Sequence, residues 1–208
     1  FYGVLGAVIG GRLGYMFFYG LDQIIIDPLS VVRVWEGGLS FHGGFLGVLL
    51  SFLIFSKKLK INFFVLSDHI ALAFPLGLGL VRIGNFLGGE LLGRSTNMPW
   101  GMIFWSDPFQ ISRHPSQLYQ AFFEGLILFF ILNWLAKKPR PRSFISGMFL
   151  FLYGSFRLFT ENFRLPDAHI GFDVLDIITR GQLLSIPMIL FGLILIYLSN
   201  RKKNETIS

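Results

Sequence analysis

At 208 residues, with 53% apolar residues, 25 phenylalanines and only 14% charged residues, and with a mean hydropathy of +0.62, the chain excludes an ordinary soluble domain and reads as a membrane protein. It contains no cysteine, which excludes a disulfide scaffold and an enzyme-borne thiol nucleophile. The net charge of +6 does not imply nucleic acid: ten of the eighteen basic residues gather in three short connections, where they serve as topogenic signals and contacts to anionic membrane lipid.

Apolar residues cluster into six stretches close to the ~20 residues that cross a bilayer, at about 1–19, 39–56, 63–88, 117–136, 143–161 and 181–199. The expected fold is all-α, a polytopic helical bundle forming a single transmembrane domain over 1–208. Phe1 opens directly on an apolar stretch with no Met-led basic leader, so no signal peptide is expected and the chain reads as a fragment that lacks its N-terminus. In the first segment Gly6, Gly10 and Gly14 recur every four residues, and Gly43 with Gly47 repeats the spacing in the second, the pattern that lets helices approach closely in lipid. Arg12 lies midway along the first segment, with Glu124, Asp68 and the outer carboxylates as candidate partners.

Every lysine falls in one of three connections, at Lys57, Lys58 and Lys60, at Lys137 and Lys138, and at Lys202 and Lys203. These alternate along the chain, as the positive-inside rule requires if all three are cytoplasmic. The remaining connections, about 20–38, 89–116 and 162–180, then lie outside, where Arg33, Arg94, Arg113, Arg164 and Arg180 accompany Asp22, Asp27, Glu36, Asp107, Asp167, Asp173 and Asp176.

Four polar groups stand out in chain order. WEGGLSFHGG, Trp35 to Gly44, places His42 at the entrance of the second segment; it reads either as an interfacial residue or as a base for a thiol or hydroxyl. The string around Ser40 lacks the second glycine of a serine-hydrolase nucleophile elbow. RIGNFLGGELLGR, Arg82 to Arg94, sets Arg82, Asn85, Glu90 and Arg94 among Gly84, Gly88, Gly89 and Gly93, with Glu90 within reach to pair back to an arginine. Charge at bilayer depth is costly, and a guanidinium beside an amide suits a phosphate. RHPSQLYQ, Arg113 to Gln120, opens the fourth segment, with Pro115 and Ser116 as a helix start and His114 and Gln117 lining the outer vestibule. Tyr153, Arg157 and Glu161 are spaced by four on the fifth segment, where the glutamate can hold the guanidinium in place or the group can serve as an interfacial anchor. No metal-ligand spacing is present, and neither a metal nor another cofactor is expected.

WEGGLSFHGG, RIGNFLGGELLGR, RHPSQLY and YGSFRLFTENFRLPD, in this order and from about Gly10 to Gly192, closely resemble the prolipoprotein diacylglyceryl transferase family of the bacterial inner membrane. The resemblance implies transfer of the diacylglyceryl group of phosphatidylglycerol to the lipobox cysteine of a prolipoprotein signal peptide, forming a thioether and releasing glycerol phosphate, the first step of lipoprotein maturation. It also implies a full chain of seven membrane segments, with a first helix and its functional tyrosine preceding Phe1. The family's signature residues fall on Arg82, Asn85, Glu90 and Gly93 and on Arg157 and Glu161, with Tyr153 and His42 also at family positions. Family members often carry Asn where this chain has Gly88. On this basis His42, Arg82 and Arg157 are the expected catalytic residues, and Tyr153, Asn85, Glu90, Gly93, Arg94, Glu161, Gly43 and Gly44 the expected substrate-binding ones. The implied site faces outward, and the C-terminus is cytoplasmic. The alternative from another class is a transporter or channel for a small anion or polyol, to which intramembrane arginines and glycine-rich helices are also suited.

Overall fold

The computed structural model describes residues 1–165 and 179–205. Asp167, Asp173 and Asp176, assigned above to the third outer connection, lie outside them. The chain divides into two compact units, Phe1–Ser67 and Asp68–Ser208.

In the first unit, α1 (Tyr2–Tyr19) is followed by a short α2 (Leu21–Ile26), two 3-10 turns (Pro28–Val32 and Val34–Glu36) and α3 (Phe41–Lys58). Ser40 caps α3, its hydroxyl accepting from the Gly43 N–H at 3.3 Å. The glycine spacings bring α1 and α3 into backbone contact: a Cβ on Gly10 would stand 2.3 Å from the Gly43 carbonyl oxygen, and one on Gly47 would stand 2.0 Å from that of Gly6. Arg12 corrects the expectation of a carboxylate partner. Its guanidinium, 4% exposed, donates to the carbonyls of Ser30, Val31, Gly37 and Gly38. The physical reason is that short 3-10 turns leave carbonyls without helical partners, and one guanidinium carries five donors in a fixed fork. Arg33 takes the nearby acids instead, pairing with Asp27 and Glu36.

In the second unit, α4 (Phe63–Leu87), which begins just before the division, leads into a β-hairpin of β1 (Met102–Ile103) and β2 (Ser112–Arg113), antiparallel with Met102 opposite Arg113. A continuous helical run follows: α5 (Ser116–Gln120), a π-helical stretch Ala121–Ile127, and α6 (Leu128–Ala136). Then come α7 (Phe144–Thr160), a 3-10 turn Glu161–Phe163 and α8 (Arg180–Glu205). Ala71, Leu128, Leu132 and Ile145 form the apolar core between α4, α6 and α7. Asp68 of α4 caps α7 from outside, accepting from the N–H groups of Ser143 and Ser146 at 2.8 and 2.7 Å and from the Ser146 hydroxyl at 2.6 Å. Helices α7 and α8 meet through Gly147, Gly154 and Gly192; a Cβ on Gly192 would lie 2.7 Å from the Gly147 oxygen.

The fold is thus mostly helical, as expected, with long helices at all six predicted segments and one small hairpin that no alternation in the sequence announced. Among the described residues, three of the helices are long and apolar enough to cross a membrane: Phe63–Leu87, Ser116–Ala136 and Gly181–Arg201. The other three, α1, α3 and α7, contain 18, 18 and 17 residues, about 26–27 Å at 1.5 Å per residue. The distribution of side chains is the reverse of a soluble protein's. Leu46, Leu80, Phe130, Trp134 and Tyr197 are exposed, while Arg12, Gln117, Gln120, Glu124 and Glu161 are buried. Lipid wets apolar surface freely but leaves polar groups to find partners inside.

Candidate active site

The polar centre of the second unit is a chain of alternating charges. Arg82, one and a half turns before the end of α4, places Nη2 3.9 Å from Oε2 of Glu124. Glu124 Oε1 lies 3.7 Å from Nη1 of Arg157 and accepts from the Thr160 hydroxyl at 2.7 Å. Arg157 Nη2 lies 2.9 Å from Glu161 Oε2, and Glu161 Oε1 lies 3.4 Å from Arg164 Nη1. Thr179, at the start of α8, donates its hydroxyl to Glu161 at 3.3 Å. Both carboxylates are 2% exposed or less, and the three guanidinium side chains between 11 and 17%. Three cations against two anions leave one positive charge in excess. Arg157 Nη1 and Glu124 Oε2 make no hydrogen bond within the described residues. The Tyr153 phenol lies beside Arg82 and Arg157. This set can receive one anionic group through guanidinium donors that are already oriented.

The predicted residues distribute around this centre unevenly. Tyr153, Arg82, Arg157 and Glu161 come together in it. Asn85 lies one turn beyond Arg82 and donates to Glu90 Oε2 at 2.9 Å. Among the described residues Glu90 therefore pairs with this amide and not back to an arginine. Its N–H is held by the Asn85 carbonyl at 2.8 Å after the turn at Gly89, φ 64°, which folds its carboxylate onto the helix end and leaves it exposed. The carboxylates that hold the arginines are Glu124 and Glu161.

Gly93 is explained by crowding. The stretch from Leu92 to Thr96 runs between two others: Leu165 donates its N–H to Leu92, Arg94 donates to Phe163, and His114 donates to Arg94. A Cβ on Gly93 would stand 2.0 Å from the His114 carbonyl oxygen. Arg94 sends Nε to the Arg164 carbonyl at 3.1 Å, fastening this stretch to the end of α7. Gly43 and Gly44, expected to bind substrate, lie on the face of α3 that meets α1, Gly43 against Gly10 and Gly44 against Ala7. His42 is exposed on the first turn of α3, in the first unit.

Several site-shaping contacts escaped the sequence reading, which places His114 and Gln117 at the outer vestibule without their partners. Asp107 and Arg113 form a buried two-point pair, Nε to Oδ2 at 2.8 Å and Nη2 to Oδ1 at 3.0 Å, which closes the hairpin. The Arg113 guanidinium, with the N–H groups of Phe109 and Ile111, holds the Asp107 carboxyl at about 2, below its ordinary 3.8. His114 is held by Tyr119 at 3.2 Å and by the Phe163 ring, and Gln117 donates to the Glu90 carbonyl. Glu124 was visible as a carboxylate inside an apolar segment, but its partners are separated from it by 33 or more residues and no spacing rule reaches them. Thr160 and Gly181 gave no signal.

The sequence matches the prolipoprotein diacylglyceryl transferase family over residues 1–198. The chain belongs to this family. Curated relatives agree. A phosphatidylglycerol–prolipoprotein diacylglyceryl transferase of Teredinibacter turnerae is 53% identical over 201 residues, covering 97% of this chain and 70% of that protein. Proteins of the same name from Acinetobacter baumannii and Pseudomonas syringae pv. syringae are 50% and 49% identical over 206 and 204 residues, covering 98% and 97% of this chain and 76% of each relative. Family membership lends no support to the transporter alternative.

Proposed function

We propose that this chain transfers the diacylglyceryl group of phosphatidylglycerol to the lipobox cysteine of a prolipoprotein signal peptide. The observation that carries this reading is the buried Arg82, Glu124, Arg157, Glu161 and Arg164 chain with its single excess positive charge, which matches one phosphodiester. The cysteine sulfur, as thiolate, bonds to the glycerol carbon of the diacylglyceryl group. The bond from that carbon to the phosphate-ester oxygen breaks, its electron pair goes to the oxygen, and glycerol phosphate leaves. Negative charge therefore grows on the phosphate, where Arg82 and Arg157 donate. The chain has no cysteine, so the substrate supplies the thiol. His42 is the base in this scheme. Asn85, Tyr153, Glu90 and Arg94 assist substrate binding, while Gly43, Gly44 and Gly93 contribute close packing.

The six long helices form one transmembrane domain of the bacterial inner membrane in this reading, with the lysine-bearing connections and C-terminus cytoplasmic and the arginine site toward the outer side. Support comes from the second unit, where Asp68 joins the beginnings of α4 and α7, beside the basic connections, while Arg82 and Arg157 sit near the opposite ends of the same helices.

The test uses the full-length protein in detergent with phosphatidylglycerol and a synthetic lipobox peptide. Glycerol phosphate release in step with a diacylglyceryl mass gain on the peptide, absent with a Cys→Ser peptide, is the expected result; release of neither removes the reading. His42→Gln should lose most of the transfer rate, and near-normal turnover in that variant removes His42 as the base.

A further inference from the structure

Glu124 has surroundings that ordinary helix packing does not require. It is carried by the seven-residue π-helical stretch Ala121–Ile127 within an otherwise α-helical run. Stretches with i→i+5 bonding are rare and recur at functional sites. The next residue, Gly125, touches Gly79 of α4 so closely that a Cβ on it would stand 2.7 Å from the Gly79 Cα. Gly79 precedes Arg82 by three residues and shares its face of α4. The widened turn and the glycine pair together bring a carboxylate to α4 where its arginine emerges, and α7 closes the other side with Arg157 and Thr160.

The distances then matter. Glu124 is 3.9 Å from Arg82 and 3.7 Å from Arg157, beyond hydrogen-bond length, while its one short contact is the neutral Thr160 hydroxyl at 2.7 Å. A tight two-point pair would have consumed the guanidinium donors. Here the carboxylate offsets the repulsion between two neighbouring cations and leaves their N–H groups available, and Arg157 Nη1 makes no hydrogen bond within the described residues.

We propose that Glu124 is a positioning residue for diacylglyceryl transfer, holding Arg82 and Arg157 at the separation that lets both donate to one phosphate group. The proposal rests on the transferase reading above. It is tested in the full-length enzyme by measuring kcat and KM for phosphatidylglycerol with a lipobox peptide as acceptor. Glu124→Gln should lower kcat by about tenfold to hundredfold without raising KM, since the site becomes more positive while its arginines lose their spacing. Glu124→Asp should recover part of the loss. Thr160→Val, which keeps every charge but frees the carboxylate, should lower kcat in the same selective way.

A folded Glu124→Gln protein with wild-type kcat overturns the proposal. A raised KM at unchanged kcat does so too, because that signature marks uniform binding. If Glu124→Gln does not accumulate, Thr160→Val decides: a kcat-selective loss supports the proposal and wild-type turnover overturns it. Failure of the wild-type enzyme to transfer in the same assay removes the transferase reading itself, a different result from all of these.

Discussion

The Glu161 carboxylate lies directly against the backbone of Gly181 in α8: a Cβ built on Gly181 would stand 2.7 Å from both Glu161 Cδ and Oε1. Any side chain at 181 must therefore displace the carboxylate that orients Arg157. Gly181→Ala should reduce transfer by about tenfold or more, and Gly181→Ser similarly. Neither should reduce the yield of folded protein as strongly. Transfer rates measured beside thermal unfolding in detergent check this, and a normal rate in Gly181→Ala would show that the carboxylate has room to move.

Arg82→Lys keeps the charge near Glu124 but replaces a planar fork by a point charge on a flexible stem. The variant should lose at least about tenfold in kcat/KM, because two parallel donors to phosphate become one. Near-normal turnover would leave no place for Arg82 as a phosphate clamp.

The hairpin should respond to acid through Asp107. Its carboxyl is held at about 2 in the folded protein, below the ordinary 3.8, so its pairing with Arg113 contributes stability that is fully present above about pH 4 and is lost as pH falls toward 2. Protection of the Phe109 and Ile111 amides against exchange, relative to their intrinsic rates at each pH, should fall across that window, since their N–H groups donate to this carboxylate. In Asp107→Asn the protection of these amides should be low already at neutral pH and should not fall further in acid.

Gly43 and Gly44 are adjacent, but their tolerance should differ. A Cβ at 43 meets a backbone oxygen at 2.3 Å and one at 44 meets its nearest atom at 3.2 Å. Gly43→Ala should therefore lower the unfolding temperature clearly, while Gly44→Ala changes it little. Equal stability of the two variants, with transfer lost in both, would return these glycines to a role in substrate contact.

In the first unit, Arg12→Ala strips four backbone carbonyls of their donor. Hydrogen bonds to a charged group contribute about 1.5–3 kcal/mol each, partly offset when water reaches the vacated carbonyls. A loss on the order of 3 kcal/mol, read by denaturant or thermal unfolding, is the expected outcome. Protease cleavage between Pro28 and Gly38 should rise with it.

What the sequence disclosed and withheld follows the range of the forces involved. Apolar run length located the helices to within a few residues, as with 63–88 against Phe63–Leu87, because bilayer thickness acts on local composition. Glycines four apart predicted the α1–α3 contact, and the Arg157 to Glu161 spacing predicted their ion pair, since both depend on a single helix face. Contacts between distant segments were beyond such rules. Arg12 found carbonyls instead of a carboxylate, Glu124 found α4 and α7, and Gly181 was set by the shape of a carboxylate from another helix. The two-residue strands of the hairpin are too short to show alternation, and a buried ion pair fixes them instead.

Asp68 adds a mechanical consequence. It pins the start of α7 to α4 through three hydrogen bonds, and the two arginines lie 14 and 11 residues further along the same helices, about 21 and 17 Å from the pin. The pair is built like callipers, riveted at one end with its jaws tipped by Arg82 and Arg157. The gap between the tips is therefore set from both directions, by the rivet at Asp68 and by Glu124 standing between the two arginines.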